Sequence, residues 1–119
     1  MKIMERDKQI LFHIIRYCDE IGETIATFGE SEEIFTQKSW YRNAVSMAIL
    51  QIGELANKLS DDFRENNPVI PWRLVIGMRN RFAHSYGSMN LSTIWQTAVE
   101  SIPQLKQKCN EILCSCEKD

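Results

Sequence analysis

PWRLVIGMRNRFAHSYG, running from Pro71 to Gly87, is the stretch on which the fold turns. Proline opens it at a position where a helix has no use for an N–H, and the apolar residues that follow keep helical spacing. At about 100° per residue, Leu74, Val75, Met78 and Phe82 form one arc, which Trp72, Ile76 and Ala83 widen past half the circumference. An arc that wide exceeds what the core of one small bundle uses, so part of it is expected to pack on a second copy of the chain. Arg79 and Tyr86 fall inside the arc, nearly in line. His84 lies on the other side with Arg73, Gly77 and Asn80. Gly87 is expected to supply the left-handed residue that closes this helix near Ser85.

Working outward, the same period recurs. Ile10, Leu11, Ile14, Ile15, Cys18, Ile21 and Ile25 mark an amphipathic helix from about Arg6 to Phe28, which Gly29 stops. A linker from about Ser31 to Gln37 follows. Val45, Ala48, Ile49, Ile52, Ala56 and Leu59 define a second helix, roughly Ser39 to Leu59, and the polar DDFRENNP reads as a long connection. Beyond the quoted stretch, Asn90 or Ser92 can cap a fourth helix. Its interior Pro103 should kink or split it before a last segment from Gln104 to about Cys114. No strand-like alternation, internal repeat or low-complexity tract appears. The expected fold is an all-α, up-and-down bundle of four to five helices, one domain over residues 1–119, with Trp72, Phe82 and Trp95 in its core.

Composition narrows the function classes. With 119 residues and 44% hydrophobic content the chain can bury a real core. It has no long apolar run, hence no expected signal peptide or membrane span, and cytoplasmic residence is the expectation. The four cysteines, Cys18, Cys109, Cys114 and Cys116, include no C-x2-C pair and are expected to be reduced thiols. No carboxylate occurs between Glu65 and Glu100, although net charge is −2. Arg73, Arg79, Arg81 and His84 therefore form a cationic island suited to a polyanion. No glycine-rich phosphate loop and no metal-ligand spacing is present, so neither a cofactor nor a metal is expected.

Within the island, Arg79 among apolar neighbours needs an anion, because an unpaired buried charge is costly. Glu54, in line with Asn43, Met47 and Leu50, is the candidate. Asn80, one turn before His84, is positioned to orient its imidazole. Cleavage of RNA by its own 2′-hydroxyl needs a group to move protons and a cation for the developing phosphoryl charge. His84 and Arg79 can take those roles, with Arg73 and Arg81 as further RNA contacts. His13 flanks a core stripe and reads as structural.

The order IGELANKLS, PVIPWRLVIGMRNRFAHSYG, IWQTAVESIPQL, with Arg79-x4-His84-x-Tyr86 at its centre, resembles the HepT type of HEPN-superfamily proteins. These are small helical ribonuclease toxins encoded beside a minimal nucleotidyltransferase antitoxin. The resemblance covers nearly the whole chain. It implies a homodimer with the motif at the subunit interface, and metal-independent RNA cleavage through Arg79 and His84. It also implies transfer of AMP by the antitoxin to Tyr86, where a bulky anion set against Arg79, Arg73 and Arg81 would plug the phosphate site. Two other readings remain open from the residues: a non-catalytic helical module that binds nucleotide or docks a nucleotidyltransferase, and a purely structural dimerising bundle.

Overall fold

The computed structural model describes residues 3–117. Helix α1, Glu5–Phe28, buries Ile10, Leu11, Ile14, Cys18, Ile21 and Ile25 on one stripe, and Glu5 and Asp7 place negative charge at its positive end. Gly29, at φ 113°, ends it, its N–H donating to the Ile25 carbonyl at 2.9 Å. Helix α3, Ser39–Lys58, runs back along α1. Phe28 meets Trp40 at one end, with ring centroids 4.6 Å apart, and Asp7 meets Ser60 at the other. Helix α5, Trp72–Ser85, packs antiparallel on the far side of α3, and α7, Ile102–Glu117, packs on α1. The four long helices thus form an up-and-down, all-α bundle.

Two segments expected as irregular are short helices. In the expected linker, α2 spans Glu32–Gln37, where the Ser31 hydroxyl accepts from the Ile34 N–H and Phe35 is fully buried. In DDFRENNP, α4 spans Asp61–Asn66, and the Ser60 hydroxyl accepts from the Phe63 N–H at 3.2 Å. Both are too short to persist alone; a serine cap and one buried aromatic hold each against the bundle. Ser60 is itself gripped from α1, its N–H and hydroxyl donating to the two oxygens of buried Asp7 at 2.9 and 2.7 Å.

Asn90, not Ser92, caps α6, Leu91–Gln96, by accepting from the N–H groups of Ser92 and Thr93. The interruption expected at Pro103 takes a definite form. Between α6 and α7 lies a π turn, Thr97–Ser101, in which the Ile102 N–H reaches back to the Thr97 carbonyl. Proline cannot donate the next helical bond, and the widened turn immediately before it absorbs the break. Gly87 does not close α5: the only positive φ among the described residues is at Gly29. Instead α5 tightens into a 3-10 turn, Tyr86–Ser88, with the Met89 N–H on the Tyr86 carbonyl.

Phe35, Tyr41 and Trp95 stack edge-on and tilted at 5.1 to 6.3 Å, joining α2, α3 and α6. Trp72, Phe82 and Trp95 are buried as expected, whereas His13 is exposed on α1. No described helix is long and apolar enough to cross a membrane.

Candidate active site on helix α5

The two helices that carry the site come close together at Gly53. A Cβ there would lie 2.8 Å from the Arg79 Cβ and 3.0 Å from its backbone nitrogen, so only hydrogen fits. Glycine inside a helix costs about 1 kcal/mol relative to alanine, and this contact is what it permits. Directly beside it, the Arg79 Nε donates to Glu54 Oε1 at 2.5 Å, the pairing anticipated for this arginine. With the side chains 37% and 35% exposed, water partly screens the pair, which is worth about 1 kcal/mol to stability. Its larger effect is geometric, because one edge of the guanidinium is fixed on α3.

Asn80 departs from its expected role. Its Oδ1 accepts from Arg79 Nη1 at 3.2 Å, and among the described residues the His84 imidazole has no hydrogen-bond partner. The neighbouring cation outcompetes an imidazole one turn away, since a charged donor makes the stronger bond. Glu54 and Asn80 together hold Arg79, while His84 stands exposed on the outer face of α5.

Tyr86 sits on the 3-10 turn with its ring stacked on Phe82, centroids 6.3 Å apart and planes 18° from parallel. Its hydroxyl is not loose at a helix end. It donates to Asn43 Oδ1 at 2.8 Å, forming a second tie between α5 and α3. Asn43 is therefore a site residue whose part the sequence did not disclose, though its alignment with Glu54 was legible.

The cationic island is divided. Arg79 and Tyr86 face α3, whereas Arg73 and Arg81 line a groove of about 490 Å³ on the other side of α5, joined there by Lys108 of α7. A group on Tyr86 therefore cannot meet all three arginines, as the single-island reading supposed; the helical rotation of about 100° per residue sends Arg73 and Arg81 to the opposite edge. The apolar arc divides too. Val75, Met78 and Phe82 are buried, but Leu74 is 70% exposed and Ala83 is exposed. On α3, Met47 is 56% exposed beside the Arg79 edge.

Among the described residues no three His, Cys, Asp or Glu side chains converge as metal ligands. Burial pushes the Cys18 and Cys109 thiols up to about 12, and Cys114 is exposed.

A family model described as "Ribonuclease HepT-like" matches residues 5–112, which span every element of the site. The chain belongs to the HepT-like ribonuclease family. Relatives of this HepT-like protein include a "Putative RNase" of Caldanaerobacter subterraneus subsp. tengcongensis, 32% identical over 92% of this chain and 96% of that relative. Another "Putative RNase", from Methanocaldococcus jannaschii, is 33% identical over 92% and 89% of the two chains. A "Probable ribonuclease HepT" of Thermococcus cleftensis is 31% identical over 81% and 92%. No solved structure matches the chain. Membership makes RNA the substrate class and ribonuclease the activity class.

Proposed function

We propose that this HepT-like chain is a metal-independent endoribonuclease, the toxin of a toxin–antitoxin pair, working as a homodimer through Arg79 and His84. The observation that carries the reading is the fixing of Arg79. Glu54 and Asn80 hold two nitrogens of its guanidinium at the α3–α5 contact, leaving the remaining donors for a phosphate. Preorganised charge of this kind stabilises a transition state without reorganising as it forms.

In the proposed step the 2′-oxygen attacks phosphorus as its proton leaves to a His84 imidazole. The P–O5′ bond breaks, the 5′-oxygen takes a proton, and a 2′,3′-cyclic phosphate and a 5′-hydroxyl result. Arg79 lies about 140° round α5 from His84, which favours a site composed from two subunits. A twofold dimer also supplies a second His84 for the second proton transfer. Exposed Met47 and Ala83, with half-buried Leu50 and Ile76, give the Arg79 edge an apolar surface suited to that contact.

Silencing by a minimal nucleotidyltransferase antitoxin would act at Tyr86. AMP joined to its hydroxyl displaces the bond to Asn43 and puts a phosphate on the same side of α5 as Arg79, in competition with RNA. Purified protein incubated with total RNA tests the reading. Cleavage should persist in EDTA, leave cyclic phosphate ends, and disappear in His84→Ala with the circular dichroism unchanged. A strict need for divalent metal, or full activity in the His84 variant, refutes it; an inert wild-type protein leaves the nucleotidyltransferase-docking module.

A further inference from the structure

We propose that the groove between α5 and α7 is a nucleotide subsite that takes an unpaired nucleotide of the RNA, apart from the Arg79 edge. The choice of RNA as ligand rests on the ribonuclease reading; the chemistry of the groove stands on its own. Three cations, Arg73, Arg81 and Lys108, line it without any carboxylate, in a chain whose net charge is −2. Between them the floor is aliphatic, built from Met78, Ile102 and Leu105. Leu74 stands on the rim, 70% exposed. Cations at the margin and hydrocarbon beneath match a nucleotide, whose phosphate is charged and whose base has apolar faces.

The volume, about 490 Å³, lies within the range of small-molecule sites, roughly 300–1,000 Å³. It suits one nucleotide and not a duplex, in which stacking and pairing hide the base faces. The wall opposite α5 contains Thr97 and Ser101, the ends of the π turn, and then Gln104. Ser101 and Gln104 offer polar groups to a base edge or a ribose hydroxyl, whereas the Thr97 hydroxyl, already donating to the Thr93 carbonyl at 2.9 Å, can only accept. A second copy is a poor occupant, because a twofold contact through this face would set its cations against themselves. The groove also leads towards the chemistry. His84 follows Gly77, which lines the groove, by two helical turns on the same side of α5. A strand anchored by one nucleotide here is thereby laid along the outer face of α5.

The experiment uses a fluorescent single-stranded 2′-O-methyl oligoribonucleotide, which lacks the attacking hydroxyl and survives, with anisotropy followed across salt concentrations. Lys108→Ala should weaken binding about tenfold at low salt and flatten the log–log salt slope by about 0.7, the loss of one phosphate contact. Leu74→Ser should weaken binding several-fold with the slope unchanged, since it removes only apolar contact. Lys38→Ala, at an exposed lysine away from the groove, should match wild type. The annealed duplex should bind more weakly than the single strand.

Equal losses from Lys108→Ala and Lys38→Ala, or a duplex bound as tightly as the single strand, overturn the groove in favour of diffuse charge. Wild-type cleavage of ordinary RNA is scored separately. Cleavage with Lys108- and Leu74-independent binding refutes the subsite and leaves the ribonuclease reading standing. Lys108- and Leu74-dependent binding without any cleavage supports the subsite and refutes that reading. No binding by wild type refutes the subsite.

Discussion

Replacing Gly53 by alanine adds one methyl group, and its position is set. The new Cβ would sit 2.8 Å from the Arg79 Cβ and 3.2 Å from its Cα, against backbone and not the yielding tip of a side chain. The helices α3 and α5 must move apart by several tenths of an ångström. Overpacking of this kind costs about 1–3 kcal/mol, while alanine returns about 1 kcal/mol of helix propensity. The net expectation is a loss of about 1 kcal/mol, or about 4 °C in the thermal midpoint of a chain this size. Activity should fall further, by about 10- to 100-fold, because displacement at this point is displacement of Arg79 itself. Gly22 in α1 is the control. A Cβ there meets nothing within 4 Å, so Gly22→Ala should raise stability by about 0.5–1 kcal/mol. The assays are thermal unfolding by circular dichroism and cleavage of a labelled RNA. If Gly53→Ala melts as high as Gly22→Ala and cleaves like wild type, close approach is not why glycine stands there.

Further expectations attach to Tyr86, to Asp7 and to the cysteines. Tyr86→Phe removes the hydroxyl that donates to Asn43 and should lower stability by less than about 1 kcal/mol. Co-expressed with a cognate nucleotidyltransferase, wild type should gain the mass of AMP and the phenylalanine variant should not, remaining a toxin that the partner cannot silence. Asp7→Ala strips both acceptors from Ser60, the cap of α4, and should cost about 2 kcal/mol by denaturant unfolding; an unchanged midpoint contradicts a role for that network. At mildly alkaline pH a thiol reagent should label exposed Cys114 and half-buried Cys116 quickly, and Cys18 and Cys109 only on unfolding. Those two thiols, pushed by burial from an ordinary 9.0 up to about 12, keep their protons when the unfolded chain has lost them. Stability should therefore fall as pH rises from about 9 towards 12, and a flat profile there contradicts their burial.

Sequence alone determined the long helices, the stripes that α1 and α3 bury and the place where Pro103 interrupts the last, because a period of about 3.6 residues is written in the chain itself. It also exposed the acid-free stretch and the Arg79, His84 and Tyr86 motif, and it made Glu54 the natural partner of Arg79. Tertiary structure decided the rest. The helices α2 and α4 exist because a core is present to receive Phe35 and Phe63; their local sequences, six residues each, have no such strength. The need for glycine at position 53 arises from Arg79, which is distant in the chain and on another helix. Asn80 turned from His84 to Arg79 because Glu54 brings the guanidinium to that edge. The island of arginines, continuous along the chain, became two surfaces because a helix spreads adjacent residues around its axis, and only the packing of α5 on α3, with α7 standing across a groove on the other side, settles which face each one joins.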